Sequence, residues 1–216
     1  VEIKYMTAKE EDILTSQNLI QQGIVIDKLL ESLIVDKSIK LDDMLIGDKN
    51  AIMVAARILG YGKEYEFTYD GEEKSVDLSK LEPVKLDFSK LTRGKNEFEF
   101  TLPTSERVIT FKLLTGSDEK KIDAEVKARE KISKTQTSIL TTRLKHMILS
   151  VDGKVEKSYI NNFIDNEFLS RDSLAFRNYL SEITPDIDMT TKIVDSDGEE
   201  TEVVIPITVR FFWPST

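Results

Sequence analysis

The stretch DKNAIMVAARILGYGKEYEFTYDG, residues 48–71, changes its hydrophobic period in mid-course, and that change sets the fold class. Up to Leu59 the apolar residues Ile52, Met53, Ala55, Ala56 and Leu59 recur at helical spacing, over an arc too broad for a surface helix. Asp48 is placed to cap this helix, and Gly60 and Gly62 to end it. From Lys63 the period is two. Tyr65, Phe67 and Tyr69 alternate with Glu64, Glu66 and Thr68, and Asp70-Gly71 then supplies a hairpin turn before a polar arm ending at Val76 and Leu78. A buried helix running straight into a hairpin places helices and strands in separate blocks.

The blocks continue on both sides. Upstream, Thr7 and Glu10 have the spacing of a capping box, and Glu10, Glu11 and Asp12 put negative charge at the positive end of the helix dipole. Ile13, Leu14, Leu19 and Ile20 carry that helix to Gly23, and Val25 to Ile34 predicts a second helix packed antiparallel to it. Leu41 to Ile46 suits a short helical turn. Downstream, residues 97–102 and 107–113 predict a second hairpin turning through Pro103-Thr104-Ser105, with Val84, Leu86 and Phe88 as a third strand. A charged helix from Asp118 to about Lys134 follows, with Ile122, Val126 and Ile132 as its narrow apolar stripe. A better amphipathic helix runs from Ile139 to Val151, and shorter ones cover Tyr159 to Phe168 and Ser173 to Ile183. Pro185 ends the last of these. Met189, Thr191 and Ile193, the turn at residues 195–198 and a strand from Glu202 to Val209 close the chain, with Pro206 favouring an edge or bulge. This order predicts an α+β fold: a helical region 1–62, antiparallel hairpins over 63–115, a second helical region 116–183, and a C-terminal hairpin with an aromatic tail over 184–216. They should pack as one or two compact domains.

Composition narrows the function classes. The 216 residues are 40% hydrophobic and 32% charged, enough apolar material for a real core. Zero cysteines exclude disulfides, thiolate metal sites and cysteine nucleophiles. No run reaches the roughly 18 apolar residues of a membrane-spanning helix, and no membrane partner is expected. The net charge of −9 opposes non-specific attraction to nucleic acid or anionic lipid. The one dense basic stretch, Lys120 to Lys145, is interleaved with acids at i,i+4: Asp123 with Lys127, Glu125 with Arg129, Glu130 with Lys134. That pattern reads as a solvated helix face, so no nucleic-acid partner is expected.

No catalytic, cofactor or metal site is expected either. His146 is the sole histidine and has no triad or metal-ligand companions. Asp195, Asp197, Glu199 and Glu200 around Gly198 lack calcium-loop spacing and read as a turn. Asp42 and Asp43 carry no further ligand pattern. Gly60-Tyr61-Gly62 follows a helix rather than a strand, the reverse of a dinucleotide-binding loop. What remains is surface for protein partners. In Phe211-Phe212-Trp213-Pro214 three successive aromatics cannot share one face of a strand. Part of that cluster either wraps onto the core or docks elsewhere, and Tyr61 and Tyr65 beside the first hairpin pose the same choice. Tyr61, Tyr65, Phe211, Phe212 and Trp213 are the protein-interface candidates.

Longer runs resemble the baseplate hub assembly proteins of T-even-type contractile-tailed bacteriophages. The matching text is YMTAKEEDILTS from Tyr5, LIQQGIVIDKLLESLI from Leu19, LIGDKNAIMVAARILGYGKEYEF from Leu45, LLTGSDEKKID from Leu113, LTTRLKHMILSVDG from Leu140 and FFWPS from Phe211. The resemblance covers most of the chain. It implies a non-enzymatic tail protein needed to assemble the baseplate hub, either an assembly chaperone or a minor hub component, with hub or tail proteins as partners. A homo-oligomer stays open. The implied location is the host cytoplasm during assembly, or the virion baseplate for a persistent structural component. A hub-associated cell-wall hydrolase is the enzymatic rival. Two departures stand out. Many relatives carry a Pro/Gly-rich arm ahead of this text, whereas this chain starts at Val1, which leads us to expect a trimmed leader. Relatives often place a cysteine pair after GYG-x-x-Y, whereas residues 68–75 here contain none, so no zinc site carries over.

Overall fold

The computed structural model describes residues 1–92, 94–132, 138–194, 198–206 and 209–212. In chain order the elements are α1 (Ala8–Thr15), α2 (Gln17–Gln22), α3 (Val25–Leu33), α4 (Ile46–Tyr61), β1 (Glu64–Tyr69), β2 (Glu72–Asp77), β3 (Phe98–Thr101), β4 (Val108–Phe111), α5 (Gly116–Ile132), α6 (Ile139–Met147), β5 (Ile148–Val151), α7 (Lys157–Asn166), α8 (Ser170–Ile183), β6 (Thr190–Val194) and β7 (Glu200–Val204). The fold is α+β, with three small antiparallel sheets among the described residues, ordered β1-β2, β3-β4-β5 and β6-β7. Two compact units are formed, and neither is continuous in sequence. Unit 1 comprises Val1–Leu41, Gly47–Val84 and Asp186–Thr216, and unit 2 comprises Asp42–Ile46 and Lys85–Pro185. The four consecutive sequence segments are thereby regrouped.

Unit 1 is organised around a buried carboxylate. Glu10, the third residue of α1, has no exposed surface. Its Oε2 accepts the Thr7 amide at 3.0 Å and the Thr7 hydroxyl at 2.6 Å, and its Oε1 accepts Lys4 Nζ at 2.7 Å and Ser32 Oγ on α3 at 2.6 Å. The capping box is thus extended into a tertiary clamp on the N-terminal segment, α1 and α3. The adjoining backbone follows suit, with Lys4 N donating to Leu33 O at 2.9 Å and Val35 N to Glu2 O at 3.0 Å. Leu14 of α1 and Leu29, Leu30 and Leu33 of α3 are buried between these elements.

The expected single helix from Thr7 to Gly23 is broken at Ser16, which is extended at φ −68°, ψ 105° and gives its carbonyl to Ile20 N at 3.0 Å, starting α2. Gly23 closes α2 in the left-handed region at φ 71°. Asp48 is not the cap of α4. The helix begins two residues earlier, at Ile46, so Asp48 lies in its first turn, where burial pushes its pKa up. Gly60 stays within the helix and Gly62 ends it at φ 83°. In the first hairpin Asp70 and Gly71 both take positive φ, 49° and 81°, the pairing required by a two-residue type I′ turn. Tyr69 then faces Glu72 and Tyr65 faces Val76.

Unit 2 departs further from the sequence pattern. Val84, Leu86 and Phe88 form no strand, and Phe88–Lys90 is a 3₁₀ turn. The third strand is instead β5, residues expected to prolong α6. Ile148 and Val151 gain more from pairing with Phe111 and Ile109 of β4 than from another helical turn, and Asp152-Gly153 lets the chain reverse. The core beneath this sheet joins Ile109, Phe111, Ile148, Phe163, Phe176 and Ile183. Asp172, buried on the first turn of α8, accepts the Thr104 and Ser105 amides at 2.7 and 3.0 Å and so fixes the β3–β4 turn. At the other end Asn96 pairs with Leu113 through both backbone groups, at 2.8 and 2.9 Å. In unit 1, β7 stops before Pro206, and Val209–Phe212 is a 3₁₀ turn rather than more strand.

Burial alone pushes the Glu10 carboxyl up, but the bonds from Lys4, Ser32 and Thr7 outweigh it and hold the group well below its ordinary value of 4.5. A depressed carboxylate contributes stability that is complete above the unfolded value and is lost as pH falls toward the folded one. Glu10→Gln should therefore cost about 2–4 kcal/mol in urea unfolding at pH 7. The difference from the parent should shrink as the pH is lowered below about 4.5. An equal difference at pH 7 and pH 3 would show that the charge is not what holds the clamp.

Candidate functional site

Two of the interface candidates, Tyr61 and Tyr65, fall at the junction of α4 and β1. Arg57 lies on the buried side of α4 with 4% of its surface exposed. Its Nη1 donates to Gly62 O at 2.7 Å and its Nη2 to Glu64 O at 3.0 Å, tying the end of the helix to the start of the strand. Its guanidinium sits 5.5 Å from the Tyr61 ring centre and 5.8 Å from that of Tyr65. Burial lowers the Arg57 pKa, and the two tyrosines act in the opposite direction. Tyr61 is half-buried, and its hydroxyl pKa is raised by burial and by Glu11 nearby.

The other candidates are inside. Tyr65 is 4% exposed, and Phe211 and Phe212 have no exposed surface. Tyr65 meets Phe211 edge-on at 4.9 Å, Phe211 meets Phe212 at 5.4 Å and 86°, and the Tyr65 hydroxyl donates to Pro206 O at 3.1 Å. Of the two alternatives, packing onto the protein's own core or docking elsewhere, these three side chains take the first. The 3₁₀ turn after β7 lets both phenylalanines point inward, which an extended strand could not do. Trp213 and Pro214 lie outside the described residues.

Other polar groups take structural places. His146 Nε2 stands 3.0 Å from Glu125 Oε2, and the same carboxylate meets Arg129 at 2.6 Å. Glu119 holds Arg143 through two bonds of 2.8 and 2.5 Å. α5 and α6 are thus joined by the Glu119–Arg143 ion pair and the Glu125–His146 hydrogen bond, in keeping with the charged character of α5. Asp42 pairs with Lys120 at 2.6 Å. Asp195, Asp197 and Lys134 lie outside the described residues. Among the described residues, no group of three or more histidine, aspartate or glutamate side chains is placed to hold a metal ion, and no helix is long and apolar enough to cross a membrane.

The sequence pattern does not reveal that Arg57 and Asp172 are buried. Arg57 falls on the apolar arc of α4, a signal that was present in its spacing from Met53 and Val54. Asp172 has no comparable mark beyond its place in the first turn of α8. Comparison with protein-family models, with curated proteins and with solved structures finds no match to this chain.

Core placement makes a measurable distinction. Phe211→Ala should destabilise the protein by about 3–5 kcal/mol, the cost of emptying a buried phenylalanine site. Tyr61→Ala, at a half-buried position, should cost about 1 kcal/mol. Urea unfolding of the two variants tests this. A Phe211→Ala protein as stable as the parent would return Phe211 to the list of surface anchors.

Proposed function

We propose that this chain is a non-enzymatic assembly protein of a contractile-tailed phage, acting through protein–protein contacts to bring baseplate hub subunits together. The observation that carries this reading is textual: six runs, in order, from Tyr5 to Ser215 resemble the hub assembly proteins of T-even-type phages. The distribution of charge is compatible with it. Unit 1 holds 22 aspartates and glutamates against 12 lysines and arginines, while unit 2 holds 17 against 18. The net negative charge is thus confined to unit 1, which favours basic protein surfaces as its contacts and opposes nucleic acid.

The test is co-expression of this chain, tagged, with the baseplate hub subunits of a T-even-type phage. The expected outcome is recovery of at least one hub subunit in stoichiometric amount through the tag. Recovery of none would remove the reading. Mass spectrometry of finished particles then separates an assembly chaperone, absent from them, from a structural component that stays.

A further inference from the structure

Helix α8 is fixed in unit 2 by Asp172, Phe176 and Ile183, all without exposed surface. Its opposite face is open. Arg171 and Arg177 are exposed, and Leu174 between them is 52% exposed. At 100° and 1.5 Å per residue, Leu174 lies about 60° around the helix and about 4.5 Å along it from each arginine, which centres an apolar side chain between two cations. Several other cations of unit 2 are engaged by carboxylates: Lys90 by Glu182, Arg107 by Asp152, Arg143 by Glu119 and Lys145 by Asp165. Among the described residues, Arg171 and Arg177 have no carboxylate within ion-pair distance, and Arg177 Nε makes only a long 3.4 Å bond to Ser173 O. The C-terminal end of α8 carries a second apolar group. The Asp87 amide donates to Glu182 O at 3.0 Å, which holds Phe88, 75% exposed, beside the last turn.

We propose that the outer face of α8 docks an acidic amphipathic helix of a partner protein. Its carboxylates would meet Arg171 and Arg177, an apolar side chain would cover Leu174, and Phe88 would bound the site at the end of the helix. Arginine suits this role because its planar fork takes carboxylates in pairs of bonds and its stem adds apolar area. A helix face built as an apolar centre with a charged rim is a common receiver for another helix. The two arginines without carboxylate partners favour an acidic occupant here, and unit 2, close to neutral, does not repel it, whereas unit 1 would. Two arginines are a small footprint for a nucleic-acid backbone, whose affinity grows with the number of phosphates neutralised. The inference stands on the surface of α8 and does not depend on the hub reading.

The probe is a fluorescein-labelled, alanine-rich helical peptide of about 16 residues bearing a leucine stripe flanked by glutamates. Fluorescence anisotropy with the full chain should show saturable binding that weakens as salt is raised. R171E/R177E and L174S should each weaken it by about tenfold or more, with melting temperatures lowered by no more than a few degrees, since the arginines are exposed and Leu174 is about half so. R171E/R177E should in turn bind the same peptide with lysines in place of its glutamates. Absence of binding by the parent, or equal binding by the variants, overturns the proposal. So does tighter binding of a duplex DNA oligonucleotide at the same arginines. Self-association of the parent in sedimentation that R171E/R177E abolishes would assign the face to a second copy of the chain and overturn it as well.

Discussion

A carboxylate buried at the third position of a helix recurs in this protein, and much of the remaining structure depends on it. Glu10 in α1, Asp118 in α5 and Asp172 in α8 each occupy that position, and each is 4% exposed or less. The position is favourable for a negative charge, because unpaired amides and the positive end of the helix dipole lie next to it. Burial there would be costly without partners, and each carboxylate finds them outside its own helix. Glu10 takes Lys4 and Ser32, Asp118 takes Lys112 and the Thr115 amide, and Asp172 takes the Thr104 and Ser105 amides. Burial pushes all three pKa values up, and the hydrogen bonds bring each below its ordinary value. A helix start is thereby converted into a fixed joint with a strand, a turn or a neighbouring helix.

These joints explain what could be read from the sequence and what could not. Thr7 and Glu10 announce a helix start because a capping box is local, closed within four residues. Lys4 and Ser32, which complete the clamp, are not marked by anything local. Asp70-Gly71 is legible for the same reason as Thr7: its two positive φ values are demanded by the turn itself. Ile148 to Val151 was legible only as apolar. Its helical spacing continues that of α6, and the choice of strand is made by β4, about 40 residues away, which no local pattern contains. Val84, Leu86 and Phe88 show the converse case, a period of two that yields only a single bridge, at Pro83 with Ile187, beside the hydrogen bond from the Val84 amide to Asp186 O, and no ladder at Leu86 or Phe88.

The aromatic candidates follow the same division. Three aromatics in a row cannot be sorted by periodicity, and the deciding feature is the 3₁₀ turn at Val209–Phe212, which lets Phe211 and Phe212 face inward against Tyr65. Arg57 is the polar counterpart. It replaces a carboxylate partner with two backbone carbonyls and two aromatic faces, so it links α4 to β1 without an acid. The α4–β1 junction is therefore a structural joint formed from residues that, in isolation, resemble a binding patch. Aromatic content marked it; burial places Tyr65, Phe211 and Phe212 in the core and leaves Tyr61 half-buried.

Exposure and unmatched charge then become the criteria for a contact surface, in place of residue type. Part of the charge of unit 2 is paired on the spot: Glu119 holds Arg143 of α6, and Glu125 holds Arg129 within α5. Arg171 and Arg177 have no carboxylate partner among the described residues, and Leu174, 52% exposed, adds apolar area between them. In unit 1 the surplus is of opposite sign and is spread over the two hairpins, where Glu64, Glu66, Glu72, Glu73, Glu199, Glu200 and Glu202 are exposed. Acidic side chains thus predominate on the hairpins of unit 1, while α8 of unit 2 presents two arginines, and opposite charges placed on different elements favour different partners before any close packing is made.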